Sequence, residues 1–164
     1  MTVVLVHGNP ETDAIWGPLV EALGRADVVR LSPPGFGAPL PDDFPATFIA
    51  YRDWLEAELE RFDAPVDLVG HDWGGAHVVN AGMHRPELVR SWTSDVVGLF
   101  DPEYVWHDMA QVWQTPGAGE DVIAAMIGSS LADRTAQLAG FGIPEDIAAR
   151  LAAGQGPEMG RAIL

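Results

Sequence analysis

The sequence predicts an α/β fold: a parallel sheet with flanking helices, followed by a wholly helical segment. Three observations carry this reading. Short apolar runs alternate with amphipathic stretches of helical spacing over the first hundred residues. One apolar run, 66–69, ends in Gly70-His71-Asp72-Trp73-Gly74-Gly75. An earlier one, Val3–Val6, ends in His7-Gly8-Asn9-Pro10.

The elements follow in order. Residues 3–6 form a strand apolar on both faces, as a buried parallel strand requires. Residues 13–23 form a short helix with Trp16, Leu19, Val20 and Leu23 on one face. Residues 27–31 form the next strand and run into Ser32-Pro33-Pro34-Gly35-Phe36-Gly37, a loop made of breakers. Residues 47–62 are helical, with Ile49, Trp54, Leu55, Leu59 and Phe62 facing inward. Pro65 follows the helix end. Residues 66–69 are a strand, 74–84 a helix and 89–97 a fourth strand. Beyond Asp101 the strand pattern stops. Residues 102–113, 121–131, 133–138 and 144–153 read as helices between Gly and Pro breaks, and 161–164 lie in another. The division is thus a sheet-containing part at 1–100 and a helical part at 101–164.

Composition narrows the chemistry. At 164 residues the chain holds at most one domain, with enough length for a sizeable core. A net charge of −15 argues against nucleic acid or an anionic membrane as partner. Cysteine and lysine are absent, which removes disulfides, thiolate chemistry and Schiff bases. Met1 is followed directly by a short strand without a basic flank, and no apolar run reaches membrane-spanning length, so the expected location is the cytoplasm. No His–carboxylate cluster has ligand spacing and there is no phosphate loop, so neither metal nor organic cofactor is expected. Oligomeric state is left open.

The Gly-X-Asp-X-Gly run after a strand has the layout of a nucleophile elbow. The strand-to-helix turn is tight, so the positions two before and two after the central residue exclude a Cβ. Asp72 is thereby raised above the sheet at a helix N-terminus, where dipole and free N–H groups favour an anion. A presented carboxylate suits nucleophilic substitution at carbon. The other use of such an aspartate is as a plain helix N-cap. The loop after the first strand and the residue after the nucleophile supply the oxyanion N–H groups in such folds, here Asn9 and Trp73.

On these residues the chain resembles the α/β-hydrolase superfamily, in the branch with an aspartate nucleophile. His7-Gly8-Asn9-Pro10 with Asp72-Trp73-Gly74 resembles the haloalkane dehalogenases in particular, and epoxide hydrolases next. The resemblance covers residues 3–98 well and the rest loosely. It implies that Asn9 and Trp73 donate N–H bonds to a leaving halide. It implies that 101–164 is a helical cap over the active site, incomplete at Leu164. It further implies that the histidine base and the usual acid position lie beyond Leu164. One departure is local: the family's Asp-X-X-Gly-X-Gly-X-Ser loop has Ser32 in place of the Asp and Pro39 in place of the Ser.

Other residues have two readings each. Asp95, near the end of the last strand, is a possible triad acid or a loop cap. Trp106, Met109 and Trp113 repeat at i, i+3, i+7, so they form either core or the roof of an apolar pocket. Tyr104 is the one tyrosine of the cap and a candidate pocket residue. The resemblance makes His7 and His71 structural, His71 pointing away from Asp72. His77 and His84 read as packed or solvated, and His107 lacks an evident orienting partner.

The expected activity is hydrolysis of a small apolar electrophile, a carbon–halogen bond first, through an aspartyl ester on Asp72. The alternatives are epoxide hydrolysis and a non-catalytic module of the same fold that binds a small ligand.

Overall fold

A computed structural model describes residues 1–96 and 98–164. Four strands form one parallel sheet: β1 (Val3–Val6), β2 (Val28–Leu31), β3 (Val66–Gly70) and β4 (Val89–Ser94), in spatial order β2-β1-β3-β4. β1 is central and all four of its residues are buried. Its alternation sends Val4 and Val6 to one face, and Val3 and Leu5 to the other.

Helices cover both faces. On the first, Val4, Val6, Val66 and Leu68 pack against Leu55 and Leu59 of α2 (Phe48–Leu59) and Val78 and Ala81 of α3 (Trp73–His84). On the second, Val3 and Leu5 pack against Trp16, in a 3-10 turn at Asp13–Trp16 that leads into α1 (Gly17–Leu23). Thr47 starts α2 by accepting the Ala50 N–H at 3.2 Å. Gly24, at φ 58°, ends α1 in the left-handed region.

The helical part comprises α4 (Asp108–Trp113), α5 (Ala118–Gly128), α6 (Leu131–Gly140), α7 (Glu145–Gly154) and α8 (Pro157–Ile163). It docks on the loops that leave the strands. Ile147 and Leu151 of α7 pack on Ala14, and Met159 of α8 packs on Phe36 and Tyr51. No helix among the described residues is long and apolar enough to cross a membrane.

Several expectations need correction. The first helix begins as a 3-10 turn; Trp16 and Val20 reach the sheet, while Leu19 and Leu23 are exposed. Ile49 is exposed, whereas Tyr51 and Glu56 are buried on α2. β4 stops at Ser94, and Val97 lies outside the described residues. Residues 102–107 are not in a helix: α4 begins at Asp108, where the His107 ring caps the Ala110 N–H at 3.3 Å. Trp106, Met109 and Trp113 are therefore not one helical stripe, and Met109 is exposed. α5, α6 and α7 shift by one to three residues from the expected ends, as Gly and Pro spacing places boundaries only coarsely.

Candidate active site

The turn from β3 into α3 places Asp72. Its φ of 52° and ψ of −131° lie where L-residues are rarely found, a strain of about 1–3 kcal/mol that the surroundings must hold. Close packing holds it. A Cβ on Gly74 would fall within 3.0 Å of the carbonyl oxygens of Val6 and His7, so α3 starts directly against the end of β1. A Cβ on Gly8 would fall within 3.0 Å of the Asp72 carboxylate itself. Only a bare backbone lets the β1 loop approach this closely.

The approach yields a hydrogen bond. The Asn9 N–H donates to Oδ1 of Asp72 at 2.9 Å. Oδ2 has no hydrogen-bond partner among the described residues. The Trp73 N–H, first in α3, also finds no acceptor there, as the geometry of a helix N-terminus dictates. One carboxylate oxygen is thus held and the other is free.

A second set of contacts supports the turn from beneath. Oδ1 of Asp95, just past β4, accepts the Asp72 N–H at 3.0 Å, and Oδ2 meets Nδ1 of His71. On its other side His71 Nε2 lies 3.3 Å from Oε1 of Glu11. Glu11 Oε2 accepts the Gly8 N–H at 3.2 Å. The two carboxylates raise the His71 pKa to about 9, the Glu11 hydrogen bond contributing most and burial opposing it. At neutral pH an imidazolium therefore joins the β1 loop, the elbow and the end of β4. Both oxygens of Asp95 face the elbow rather than a histidine across the site.

His7 is buried, its Nε2 3.2 Å from Ser32 Oγ and its Nδ1 3.0 Å from the Gly8 carbonyl. Ser32, the departure noted in the sequence, is thus the group that holds His7. Burial lowers the His7 pKa, so the ring is neutral. His84 is bonded to Glu56 at 2.9 Å. No histidine among the described residues hydrogen-bonds the Asp72 carboxylate.

Above the elbow lies a cavity of about 280 Å³. Gly8, Asn9 and Trp73 line it from the sheet side, Trp106, Ala110 and Trp113 from the helical part. Trp106 stacks on Trp73 with ring centroids 5.6 Å apart and 20° between planes, although it precedes α4. Tyr104 does not line the cavity. It sits edge-on behind Trp106 at 5.2 Å, so its place is in support of that ring. Among the wall residues that sequence reasoning missed are the rings of Phe36, Phe48, Tyr51 and His77. Only the burial of Tyr51 at a helical spacing from Leu55 could have been read from the pattern. Among the described residues no group of three or more His, Asp or Glu side chains is arranged to hold a metal ion.

The comparisons agree with this architecture. The "Probable oxidoreductase EphD" of Mycobacterium tuberculosis is 34% identical over 101 residues, covering 57% of this chain and 17% of that protein. The chain therefore spans about a sixth of the curated relatives it matches. Epoxide hydrolase VrEH1 from Vigna radiata has a similar structure, with TM-score 0.69 and 19% identity over 99% of this chain and 63% of that one. A loop variant of haloalkane dehalogenase DbeA from Bradyrhizobium elkanii gives TM-score 0.59 and 24% identity, over 93% and 60%. The family model described as the Alpha/beta hydrolase family matches residues 3–161, and the chain belongs to that family.

Proposed function

We propose that Asp72 is the nucleophile of a hydrolytic reaction on a small apolar electrophile, a haloalkane first. The observation that carries this is the Asp72 carboxylate: raised on a strained backbone at the elbow, held through Oδ1 by the Asn9 N–H, and without a partner at Oδ2 among the described residues. The flanking residues Asn9 and Trp73 line an aromatic cavity, which suits an apolar substrate in a water-poor site.

Oδ2 attacks the halogen-bearing carbon. The carbon–halogen bond breaks, the electron pair leaves with the halide, and an alkyl ester of Asp72 forms. The indole N–H of Trp73 and the side-chain amide of Asn9 are donors for the halide. Oδ1 becomes the ester carbonyl oxygen, already bonded to the Asn9 N–H. Attack by water on the ester carbon then places negative charge on Oδ1, where the N–H groups of Asn9 and Trp73 stabilise it. The ester bond breaks, the alcohol departs with one of the water's protons, the other proton passes to solvent, and the carboxylate returns.

Epoxide opening is the second reading, and the tyrosines lend it less support. That reaction needs a proton for the departing oxygen. The hydroxyl of Tyr51 is already given to the Pro34 carbonyl at 2.9 Å, and Tyr104 lies off the cavity.

Intact-mass spectrometry after incubation with 1-bromobutane tests the proposal. A butyl group that maps to Asp72, and is absent from Asp72→Asn, supports it. Labelling elsewhere, or no labelling together with turnover of an epoxide, overturns it. Binding of the alkyl halide without any reaction points to a ligand-binding role.

A further inference from the structure

His77 has no part in the chemistry proposed for Asp72, yet it forms part of the cavity wall. It lies on α3 and is 4% exposed. Its ring stacks on Tyr51 at 5.0 Å and 24°, and is flanked by Trp73 and Phe48, each 6.1 Å away. Its Nδ1 is buried without a hydrogen-bond partner among the described residues. No described residue hydrogen-bonds either ring nitrogen, and His77 lines the cavity, so a bound molecule is the partner left for the imidazole.

The surroundings define what that atom can be. Six aromatic rings line the cavity: Phe36, Phe48, Tyr51, Trp73, Trp106 and Trp113. Such a box accepts a planar apolar body. The titratable groups around His77 carry no charge: His7 is neutral through burial, and the Tyr51 phenol donates to the Pro34 carbonyl. Burial brings His77 down to a pKa of about 3, so it stays neutral. A neutral imidazole offers one donor and one acceptor and no charge. Two other polar groups on this wall are already used, the Tyr51 hydroxyl on Pro34 and His7 Nε2 with Ser32. Asn9 retains a buried Oδ1 without a partner. The volume, about 280 Å³, is at the lower end for ligand pockets and suits a single-ring molecule.

We propose that the cavity binds small single-ring aromatic molecules carrying a neutral hydroxyl or carbonyl group, with His77 as the hydrogen-bonding anchor of that group. This rests on the reading of Asp72 as nucleophile only in naming its substrates: the reactive carbon would face Asp72 while the polar group meets His77. The binding itself requires no reaction.

The test therefore separates the two. Binding of 4-ethylphenol and of ethylbenzene to the full chain is measured by quenching of tryptophan fluorescence, since Trp73, Trp106 and Trp113 line the cavity. The expected result is that 4-ethylphenol binds about tenfold more tightly, the factor that one net hydrogen bond supplies. His77→Phe should bring the two ligands level while leaving ethylbenzene bound, and His77→Gln should restore part of the preference. Neither compound carries a leaving group, so failure of the nucleophile assignment leaves this result intact. Should His77→Phe fail to fold, the nitrogen resonances of His77 in the ¹⁵N-histidine-labelled protein decide. They should shift with 4-ethylphenol and stay fixed with ethylbenzene. Equal affinities in the unaltered protein, no binding of either compound, or unmoved resonances would overturn the proposal.

Discussion

The N–H of Asp72 donates to Oδ1 of Asp95 at 3.0 Å, a bond that ties the strained elbow residue to the end of the neighbouring strand. The same carboxylate meets His71 with its other oxygen. Asp95 thus holds the peptide that precedes Asp72 and the imidazolium behind it. Its geometry is that of a positioning residue, and its effect on reactivity would pass through the backbone of Asp72.

Asp95→Ala should therefore slow alkylation of Asp72 by 1-bromobutane, up to about 100-fold, the scale of a displacement near 1 Å at a reacting group. Asp95→Asn keeps an acceptor for the Asp72 N–H and should slow it less. Rates of butyl incorporation by mass spectrometry check the order. Equal slowing in Asp95→Ala and Asp95→Asn, both of which remove the charge, would show that Asp95 acts by charge rather than by position.

Gly8→Ala puts a methyl group within 3.0 Å of the Asp72 carboxylate, against a backbone that cannot retreat because Asn9 is bonded to the same group. Butyl incorporation should fall by roughly 100-fold or more. Circular dichroism should still show the sheet, since the clash is confined to the loop. Unchanged reactivity would mean that the β1 loop moves away without consequence.

His71 makes stability depend on pH in the alkaline range. Its folded pKa, about 9, is above the ordinary 6.5, so the folded state holds the proton more tightly than the unfolded state. The contribution is complete below about 6.5 and is lost as pH rises through about 9. Thermal midpoints should decline across that window, and His71→Gln should flatten the decline. His77 acts with the opposite sign: its folded pKa, near 3, is below 6.5, so stability falls as pH drops from 6.5 towards 3. His77→Phe should flatten that acid limb. A His71→Gln profile parallel to the parent's above pH 6.5 would remove the imidazolium from the account.

Leu55 is fully buried between the sheet and α3. Leu55→Ala should cost about 2–5 kcal/mol, as truncation leaves a cavity in a packed core. Urea unfolding measures it. Ile49→Ala on the same helix should cost little, because Ile49 is exposed.

Sheet and elbow were legible in the sequence because local rules govern them. An apolar run of four residues can only be a buried strand here, and Gly-X-Asp-X-Gly after a strand leaves the backbone one tight course. The strained φ of Asp72 and the approach of the Asn9 N–H are direct consequences of those glycines. Helical spacing also identified Leu55 and Leu59, but it overextended the helix before Asp108 and placed Leu19 and Leu23 inward with Trp16 and Val20, although both are exposed. Periodicity states which residues share a face, not whether another element covers it. The cavity depended on that second question. Phe36 comes from a loop, Tyr51 from α2, His77 from α3 and Trp106 from the segment before α4. They converge only when the helical part docks over the strand ends. The Glu11–His71–Asp95 contacts and the bond from Ser32 to His7 likewise join residues from separate loops. No spacing along the chain encodes such meetings. They follow from burial, which forces polar groups brought out of water to find partners wherever the packing has placed them.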